Sequence, residues 1–227
     1  MTDTQELIEK LPHRTIERLS QYRRALLICQ EKGKEYIFSH EIAEIQHITA
    51  VQVRRDLMLV GYSGTLRKGY NIKELIQLIS DIIDCPRGLN VAIMGMGNLG
   101  RAIIKYLNKR RPRLTIVAGF DANEEKIGKE INGIRCYSPD ELKKVVQELD
   151  ISIAVVTVPA HKTNETAKRL VDAGIKGILN FTPTPMIVPD HIFLEEYDMI
   201  TSLEKVAFYV KQAILEEERE ADEKVKA

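Results

Sequence analysis

Three glycines at positions 95, 97 and 100 have the spacing of a phosphate-binding loop. The motif Gly95-Met96-Gly97-Asn98-Leu99-Gly100 follows an apolar strand pattern and precedes a helical pattern. In this setting the first glycine permits a tight turn, the second lets backbone amides approach a pyrophosphate, and the third lets the helix pack on the strand. The helix N-terminus then offers unpaired N–H groups and partial positive charge to the phosphates. We therefore predict that these six residues bind a dinucleotide.

An acidic residue ends the next strand pattern. Asp121 follows the last glycine by about 20 residues, the distance at which a carboxylate binds the adenosine ribose hydroxyls and repels a 2′-phosphate. The sequence thus favours NADH and NAD⁺ over the phosphorylated cofactors. The alternative is a βαβ unit that binds CoA or no ligand, in which the glycines serve only to form a tight turn.

Composition limits the other possible partners. The chain has 227 residues with 33 basic and 33 acidic side chains, so no global charge attracts nucleic acid or membrane. Any such binding must come from a local patch, and residues 14–73 are rich in Lys and Arg. The three cysteines are widely separated and lack metal-ligand spacing, so we expect reduced thiols and no metal. Without a signal-like N-terminus or an apolar run of about 18 residues, we expect a cytoplasmic protein without membrane contact.

Three helices are predicted near the N-terminus, at residues 15–31, 39–45 and 49–60. Ser39 is a plausible N-cap for the second, and Thr49 with Gln52 has the form of a capping box for the third. The short link between them is typical of a helix-turn-helix. The third helix turns an apolar stripe to the core and leaves Gln52, Arg54 and Arg55 at or beside its exposed face. Such side chains suit a DNA major groove, although a merely solvated helix face has the same pattern.

A glycine-bracketed basic loop follows, at residues 64–70. It is predicted to form a β-hairpin, the wing of a winged helix, with Arg67 and Lys68 free to reach DNA phosphates. Asn71 then caps a further helix, with Glu74 at the capping-box position. The sequence at 85–88 breaks that helix, so we assign residues 1–85 to a winged-helix DNA-binding domain.

Strand and helix patterns alternate beyond this boundary. Near-continuous Val and Ile runs between helices predict a doubly wound parallel sheet with both faces covered, an α/β Rossmann domain over residues 86–196. The pattern includes a short helix near Glu124–Gly128, a strand at 135–137, a helix capped by Ser138, and strands at 151–156 and 177–180.

Two strand ends are candidates for the nicotinamide site. Ligands in such folds bind beyond the carboxyl ends of the strands, where this chain has Thr157-Val158-Pro159 and Asn180-Phe181. Taken alone, each is equally a rigid proline turn.

Residues 197–227 form the last predicted segment. An amphipathic helix at Tyr197–Leu215 comes after the α/β pattern has finished, so its apolar face needs a partner, and a homodimer supplies one. The acidic remainder is expected to be a solvated, frayed end.

This order of parts resembles the Rex family of redox-sensing transcriptional repressors. The resemblance rests on motifs spread over nearly the whole chain: residues 52–57 with Gly61, Gly69-Tyr70, the glycine loop, Gly119-Phe120-Asp121, Thr157-Val158-Pro159 and residues 173–181. It implies a homodimer with exchanged C-terminal helices, which binds a palindromic operator in the apo and NAD⁺ forms and releases it with NADH. It also implies a network of Arg24, Tyr106 and Asp198 that links the DNA-binding domain to the cofactor site. Tyr106 and the partner's copy of Asp198 would then adjoin the cofactor. The wing departs from the family pattern at Thr65, Leu66 and Arg67.

Two other functions share parts of this pattern. An NAD-dependent oxidoreductase would need a substrate domain, but little chain remains after Asn180, and His161 is the only candidate acid. A CoA- or metabolite-responsive DNA-binding regulator would use the same βαβ unit. We favour a regulator over an enzyme.

Overall fold

A computed structural model describes residues 11–65, 67–107 and 113–226, with side chains described as far as Arg219. The predictions made for residues 1–10 and for Leu66 lie outside these residues. The chain forms two compact units that divide after Arg87. Within the described part of the chain, no helix is both long and apolar enough to span a membrane.

The N-terminal unit is a small helical bundle with a two-stranded antiparallel sheet. The apolar stripe predicted for the third helix packs into its core through Val53, Leu57 and the C-cap residue Val60. The order of elements is α1 (His13–Glu31), β1 (Tyr36–Ile37), α2 (Ser39–Gln46), α3 (Ala50–Leu59), β2 (Tyr70–Asn71) and α4 (Ile72–Ile83).

Helix caps in this unit follow the predictions in part. The Thr49 hydroxyl accepts from the Gln52 N–H at 3.2 Å, and the side-chain Oδ1 of Asn71 accepts from the Glu74 N–H at 3.1 Å. The prediction for Ser39 was wrong, because Phe38 is the N-cap and Ser39 is already helical. There the Glu41 carboxylate accepts from the Phe38 N–H, so the backbone amide is satisfied without a side-chain cap.

The basic loop folds as a tight turn. Thr65 and Gly69 exchange both backbone hydrogen bonds, at 2.9 and 2.8 Å, and so bring the chain back on itself as a hairpin would. After the turn, however, β2 pairs with β1 and not with the residues before the loop. The wing is therefore anchored to a strand between α1 and α2 that the sequence pattern did not reveal, since β1 has only two residues.

The second unit is a seven-stranded sheet with helices. The elements are β3 (Leu89–Met94), α5 (Asn98–Leu107), β4 (Leu114–Phe120), β5 (Glu130–Ile131), β6 (Ile134–Tyr137), a 3₁₀ turn (Pro139–Glu141), α6 (Leu142–Glu148), β7 (Ile151–Val156), a 3₁₀ turn (Ala160–Lys162), α7 (Thr163–Ala173), β8 (Gly177–Asn180), β9 (Phe193–Glu196) and α8 (Met199–Lys226). The strand order in the sheet is β5-β6-β4-β3-β7-β8-β9. All neighbours are parallel except β5 and β6. The predicted doubly wound α/β fold is confirmed, and its chain reverses direction across the sheet between β3 and β7.

Two predictions for the sheet were wrong. Residues 124–128 form turns instead of a helix, because the Gly128 N–H bonds to the Cys136 carbonyl at 2.8 Å and ties the segment to β6. The sheet also contains a strand that was not predicted, since β9 pairs in parallel with β8. Strand β9 has mostly exposed residues and follows a proline-containing segment, so the hydrophobic pattern did not predict it.

The C-terminal segment is helical for longer than predicted. Helix α8 begins at Met199, two residues after the predicted start, and continues to Lys226, so the expectation of a frayed acidic end was wrong. Glutamate and lysine are good helix formers, and their repetition sustains the helix beyond its apolar part.

Candidate functional site

The glycine loop joins the end of β3 to the start of α5 and is closely packed on one side only. Gly95 has φ of +100°, and a Cβ there would lie 2.8 Å from the Thr157 carbonyl oxygen. A Cβ on Gly100 would overlap the Gly95 carbonyl, whereas a Cβ on Gly97 would meet nothing within 4 Å. The loop therefore offers open backbone at Gly97, as an approaching pyrophosphate requires.

Thr157 fixes the loop from the neighbouring strand. Its hydroxyl donates to the carbonyl of Gly95 at 2.8 Å, and its own N–H donates to the Met94 carbonyl at 2.8 Å. Thr157, which follows the end of β7, thus holds the turn in place by hydrogen bonds. This contact needs the two strands to be adjacent, which the sequence alone did not establish.

Asp121 holds the same loop from the other side. Its carboxylate accepts from the Met96 N–H at 2.9 Å, from the Asn123 N–H at 2.9 Å and from the Lys126 ammonium at 2.7 Å. Burial raises the pKa of Asp121, but these hydrogen bonds outweigh it and hold the pKa below its ordinary value. The site thus presents an ionised acid at the end of β4. Sequence reasoning missed Lys126, whose only signal is its position five residues after the acid.

Met96 is placed differently from its neighbours in the loop. Its side chain is fully buried against Gly119, and its N–H is bound to Asp121. Asn98 and Leu99 instead begin α5, at the end of the helix that faces the open side of the loop.

A cavity of about 590 Å³ opens at the carboxyl ends of β3, β4 and β7. This volume lies in the range of small-molecule sites, and the position next to the reversal of strand order is where doubly wound sheets bind ligands. Four predicted site residues line it: Gly95, Asp121, Val158 and Pro159. It also contains His161, Lys162 and Arg169, of which only His161 was considered from the sequence. Together, the open backbone and this cavity fit a dinucleotide.

The second candidate for the nicotinamide site, Asn180-Phe181, lies one strand further along the sheet and does not line this cavity. Asn180 is buried, and its amide bonds to the Thr182 N–H at 3.0 Å and to the Thr184 carbonyl at 3.0 Å, so it shapes the turn after β8. Phe181 is half-buried, with its ring 5.2 Å from that of Tyr197. The pair gives the end of β8 an aromatic surface.

The residues of the implied coupling network lie on different elements. Asp198 caps α8 by accepting from the Ile200 N–H at 2.8 Å and from the Thr201 hydroxyl at 2.6 Å, and these bonds keep its pKa below the ordinary value. Tyr106 is exposed near the end of α5, and Arg24 is exposed on α1. Their joint role remains a prediction.

The exposed side of α3 carries the predicted DNA-binding arginines. Arg54 and Arg55 are both exposed, and Arg54 donates to the Ser39 hydroxyl at 3.1 Å. Gln52 is only half exposed, and its amide donates to the Asp56 carboxylate at 2.9 Å. In the wing, Arg67 and Lys68 are exposed, with the Lys68 ammonium 5.4 Å from the centre of the Tyr36 ring.

Asp56 is the centre of a buried polar cluster beneath this surface. Its carboxylate accepts from Arg18 at 2.6 and 2.7 Å, from the Tyr22 hydroxyl at 2.7 Å and from Gln52. Burial raises the pKa of Asp56, but the bonds from Arg18, Tyr22 and Gln52 outweigh it and lower the pKa overall. Asp56 thus ties α3 to α1. Its proximity to Arg18, 38 residues earlier, could not be read from the sequence.

In the described part of the chain, no three His, Cys, Asp or Glu side chains are grouped closely enough to hold a metal ion.

Two family models match separate parts of the chain. Residues 10–57 match the family described as "Putative DNA-binding protein N-terminus", and residues 87–184 match the CoA binding domain family. The first match covers the helix-turn-helix and the second covers the glycine loop and cavity.

Full-length relatives agree with this arrangement. The chain is 39% identical over 203 residues to the redox-sensing transcriptional repressor Rex of Carboxydothermus hydrogenoformans, covering 89% of this chain and 98% of the relative. It is 36% identical over 201 residues to Rex of Lactobacillus acidophilus, covering 88% and 95%.

Solved structures extend the likeness to the fold. The crystal structure of RSP, a Rex-family repressor, in complex with NAD⁺ and operator DNA matches with a TM-score of 0.82 at 30% identity, covering 93% of this chain and 97% of that chain. The RSP complex with NADH matches with a TM-score of 0.81, also at 30% identity, covering 92% and 98%. On the strength of these motifs, relatives and structures, the chain belongs to the Rex family of redox-sensing transcriptional repressors.

Proposed function

We propose that this chain is a DNA-binding transcriptional repressor that senses the NADH/NAD⁺ ratio. As a homodimer it binds a palindromic operator and is released by NADH. The observation that carries this proposal is that one chain joins a basic winged helix to a dinucleotide-type loop and cavity. Relatives that share both parts are named redox-sensing repressors, and RSP was crystallised with NADH and with NAD⁺ and operator DNA.

We assign cofactor binding to the loop and the neighbouring strand ends. The backbone around Gly97 and the N-terminus of α5 would receive the pyrophosphate, and Asp121 the adenosine ribose. Val158 and Pro159, which the sequence suggested for the nicotinamide site, line the cavity together with Asp121, so we assign them to the adenosine side instead. Phe181 with Tyr197 would form an apolar wall for the nicotinamide ring. The remaining predicted contacts are Met96, Asn98, Leu99, Gly95, Gly100, Thr157, Asn180, Tyr106 and the partner's Asp198.

The dimer is proposed from helix α8. Its apolar residues between Met199 and Leu215 are all exposed in the single chain, which leaves a long hydrophobic surface in water. A surface of this kind marks a protein interface. A second copy of the chain is the simplest partner, because a twofold dimer also presents two recognition helices to a palindrome.

Domain limits follow from these roles. We propose a DNA-binding domain over residues 1–85, an NAD(H)-binding domain over residues 86–196 and a dimerisation segment over residues 197–227. Arg24, Tyr106 and Asp198 are proposed to couple them. As a regulator that acts on DNA, the protein is placed in the cytoplasm.

A gel shift with a palindromic operator, titrated with NADH, NAD⁺, NADPH and CoA, tests the proposal. We expect release by NADH alone. Release by CoA would favour a CoA-responsive regulator, for which the CoA binding domain match over residues 87–184 is the supporting observation. Insensitivity to all four ligands would refute the sensor.

Linkage gives a second, independent measurement. If NADH weakens operator binding by some factor, operator DNA must weaken NADH binding by the same factor. Equal NADH affinity for the free protein and for its operator complex would contradict the proposed switch.

A further inference from the structure

The exposed face of α3 combines two arginines with two aliphatic side chains. Val51, Arg54, Arg55 and Met58 have the spacing i, i+3, i+4 and i+7, which places them on one side of a helix. Val51 is 58% exposed and Met58 is 72% exposed, although α3 buries its other apolar stripe completely. With Leu59, these four residues surround a shallow depression of about 510 Å³.

Only Val51 of the aliphatic pair lies where a recognition helix meets base edges. It is the second residue of α3, after the Thr49 cap, and N-terminal residues of such helices contact the bases. Met58 lies seven residues later, about 10 Å further along the helix axis. Gln52, beside Val51 in the chain, has its amide bound to the buried Asp56. The first turn therefore presents an apolar group to a ligand where the sequence had suggested an amide.

A valine side chain has neither a donor nor an acceptor, so it can recognise only an apolar group. In the DNA major groove that group is the C5-methyl of thymine. The flanking Arg54 and Arg55 supply charge complementarity for the DNA and guanidinium donors for guanine edges or phosphates. Charge and apolarity on one face thus fit DNA better than they fit an apolar protein surface.

We propose that Val51 is a specificity-determining residue that reads a thymine in each operator half-site by packing against its C5-methyl group. The inference rests on the proposed function, since it presupposes that α3 enters the major groove. It goes further by naming a base and the residue that selects it.

Thymine-to-deoxyuridine replacement tests this, because it removes the methyl group and nothing else. An operator would first be selected from random duplexes with the wild-type protein. Each symmetric thymine pair would then be replaced by deoxyuridine. We expect one position at which wild-type affinity falls about fourfold per half-site, the effect of about 0.8 kcal/mol for one buried apolar carbon.

Three variants make the test specific. Val51→Ala should bind the thymine and deoxyuridine operators almost equally at that position, and Val51→Thr, which keeps one methyl, should retain part of the discrimination. Met58→Ala is the matched control, since it removes exposed apolar surface from the same face two turns away. It should discriminate like the wild type. Thermal unfolding at the wild-type temperature would show that these exposed substitutions leave the fold intact.

The inference is overturned if deoxyuridine costs Val51→Ala as much as it costs the wild type, or if the selected half-sites contain no thymine whose methyl matters. In both cases operator binding persists, so the proposed function stands. If the wild-type protein enriches no duplex at all, the inference and the proposed function both fail.

Discussion

At the residue scale, single carboxylates hold together the parts of the chain to which we assign ligand binding. Asp56 joins the recognition helix to α1 through Arg18 and Tyr22, and Asp121 joins β4 to the glycine loop through the Met96 N–H. In both cases a buried charge is acceptable because several donors satisfy its oxygens. Each therefore positions a functional surface besides any contact it makes with a ligand.

We expect Asp56→Asn to destabilise the N-terminal unit by about 3 kcal/mol. Removing one partner of a buried pair leaves the other charge uncompensated, and Arg18 keeps some contact with water, which puts the cost at the lower end of the usual range. Urea unfolding at pH 7 measures it. Glu41→Gln, which weakens the more exposed Lys34–Glu41 pair, is the matched control and should cost less than about 1 kcal/mol.

The stability difference between the wild type and Asp56→Asn should also depend on pH. The pKa of Asp56 is lower in the folded chain than in the unfolded one, where it is about 3.9. Its contribution is therefore complete above that pH and is lost as the pH falls through the lower, folded value. The stability difference between wild type and Asp56→Asn should shrink below pH of about 4, and a difference that stays constant there would contradict this role.

Phe181 is the residue that we expect to set the preference for NADH over NAD⁺. The two cofactor forms differ by a positive charge on the nicotinamide ring, and an apolar wall disfavours the cation by withholding water. We expect Phe181→Gln to narrow the preference for NADH over NAD⁺, each tenfold change in the ratio of dissociation constants being about 1.4 kcal/mol. Phe181→Leu keeps the wall apolar and should preserve the ratio. Titrations in which the glutamine variant keeps the wild-type ratio would exclude Phe181 as the discriminating wall.

At the scale of elements, the wing is a short turn whose position depends on pairing elsewhere. Thr65 and Gly69 close the turn, and β2 is held by β1, so Arg67 and Lys68 project from a fixed base. Their proposed partners are phosphates, which contribute affinity without sequence preference.

We expect Arg67→Gln to weaken binding to all DNA sequences by a similar factor. Loss of one phosphate contact per subunit should reduce the slope of log K against log salt by about 2 for a dimer. Lys144→Gln, which removes an exposed charge from the second unit, is the control and should leave the slope unchanged. An unaltered slope for Arg67→Gln would mean that the wing does not reach the backbone.

At the scale of the whole molecule, α8 is the segment to which we assign dimerisation. Its apolar side chains between residues 199 and 215 find no cover within the described chain, where every residue from 199 to 219 is exposed. A palindrome read by a monomer would engage only one half-site, so the same helix bears on DNA affinity.

We expect Val210→Glu to dissociate the dimer, because it places a charge in the middle of the apolar stripe. Sedimentation should then show a monomer, and operator affinity should fall because only one half-site is bound at a time. Lys205→Glu changes charge on the opposite side of α8 and should leave the dimer intact. A Val210→Glu protein that sediments as a dimer would place the interface elsewhere.

Much of this architecture was determined by the sequence alone, because it depends on local rules. Hydrophobic periodicity located the helices, β7 and β8, and the glycine spacing located the tight turn between β3 and α5. Where local rules conflicted with tertiary bonding, the predictions failed. The turns at 124–128 and strand β5 depend on hydrogen bonds to β6, and the short strands β1 and β9 depend on pairing with β2 and β8. Hydrophobic periodicity does not report such pairing.

Only the tertiary structure decided what the candidate side chains are free to do. From their spacing, Gln52 and Arg54 were equally good candidates for contacting bases. In the structure, however, the side-chain amide of Gln52 donates to the buried carboxylate of Asp56, and Val51 is the exposed side chain in that turn. The spacing likewise identified Asp121, but it did not reveal its partner Lys126 or the hydrogen bond from the Thr157 hydroxyl to the Gly95 carbonyl. The physical reason is the same in each case. Residue type and period fix which face of an element a side chain occupies, whereas its hydrogen-bond partners come from elements that folding alone brings together.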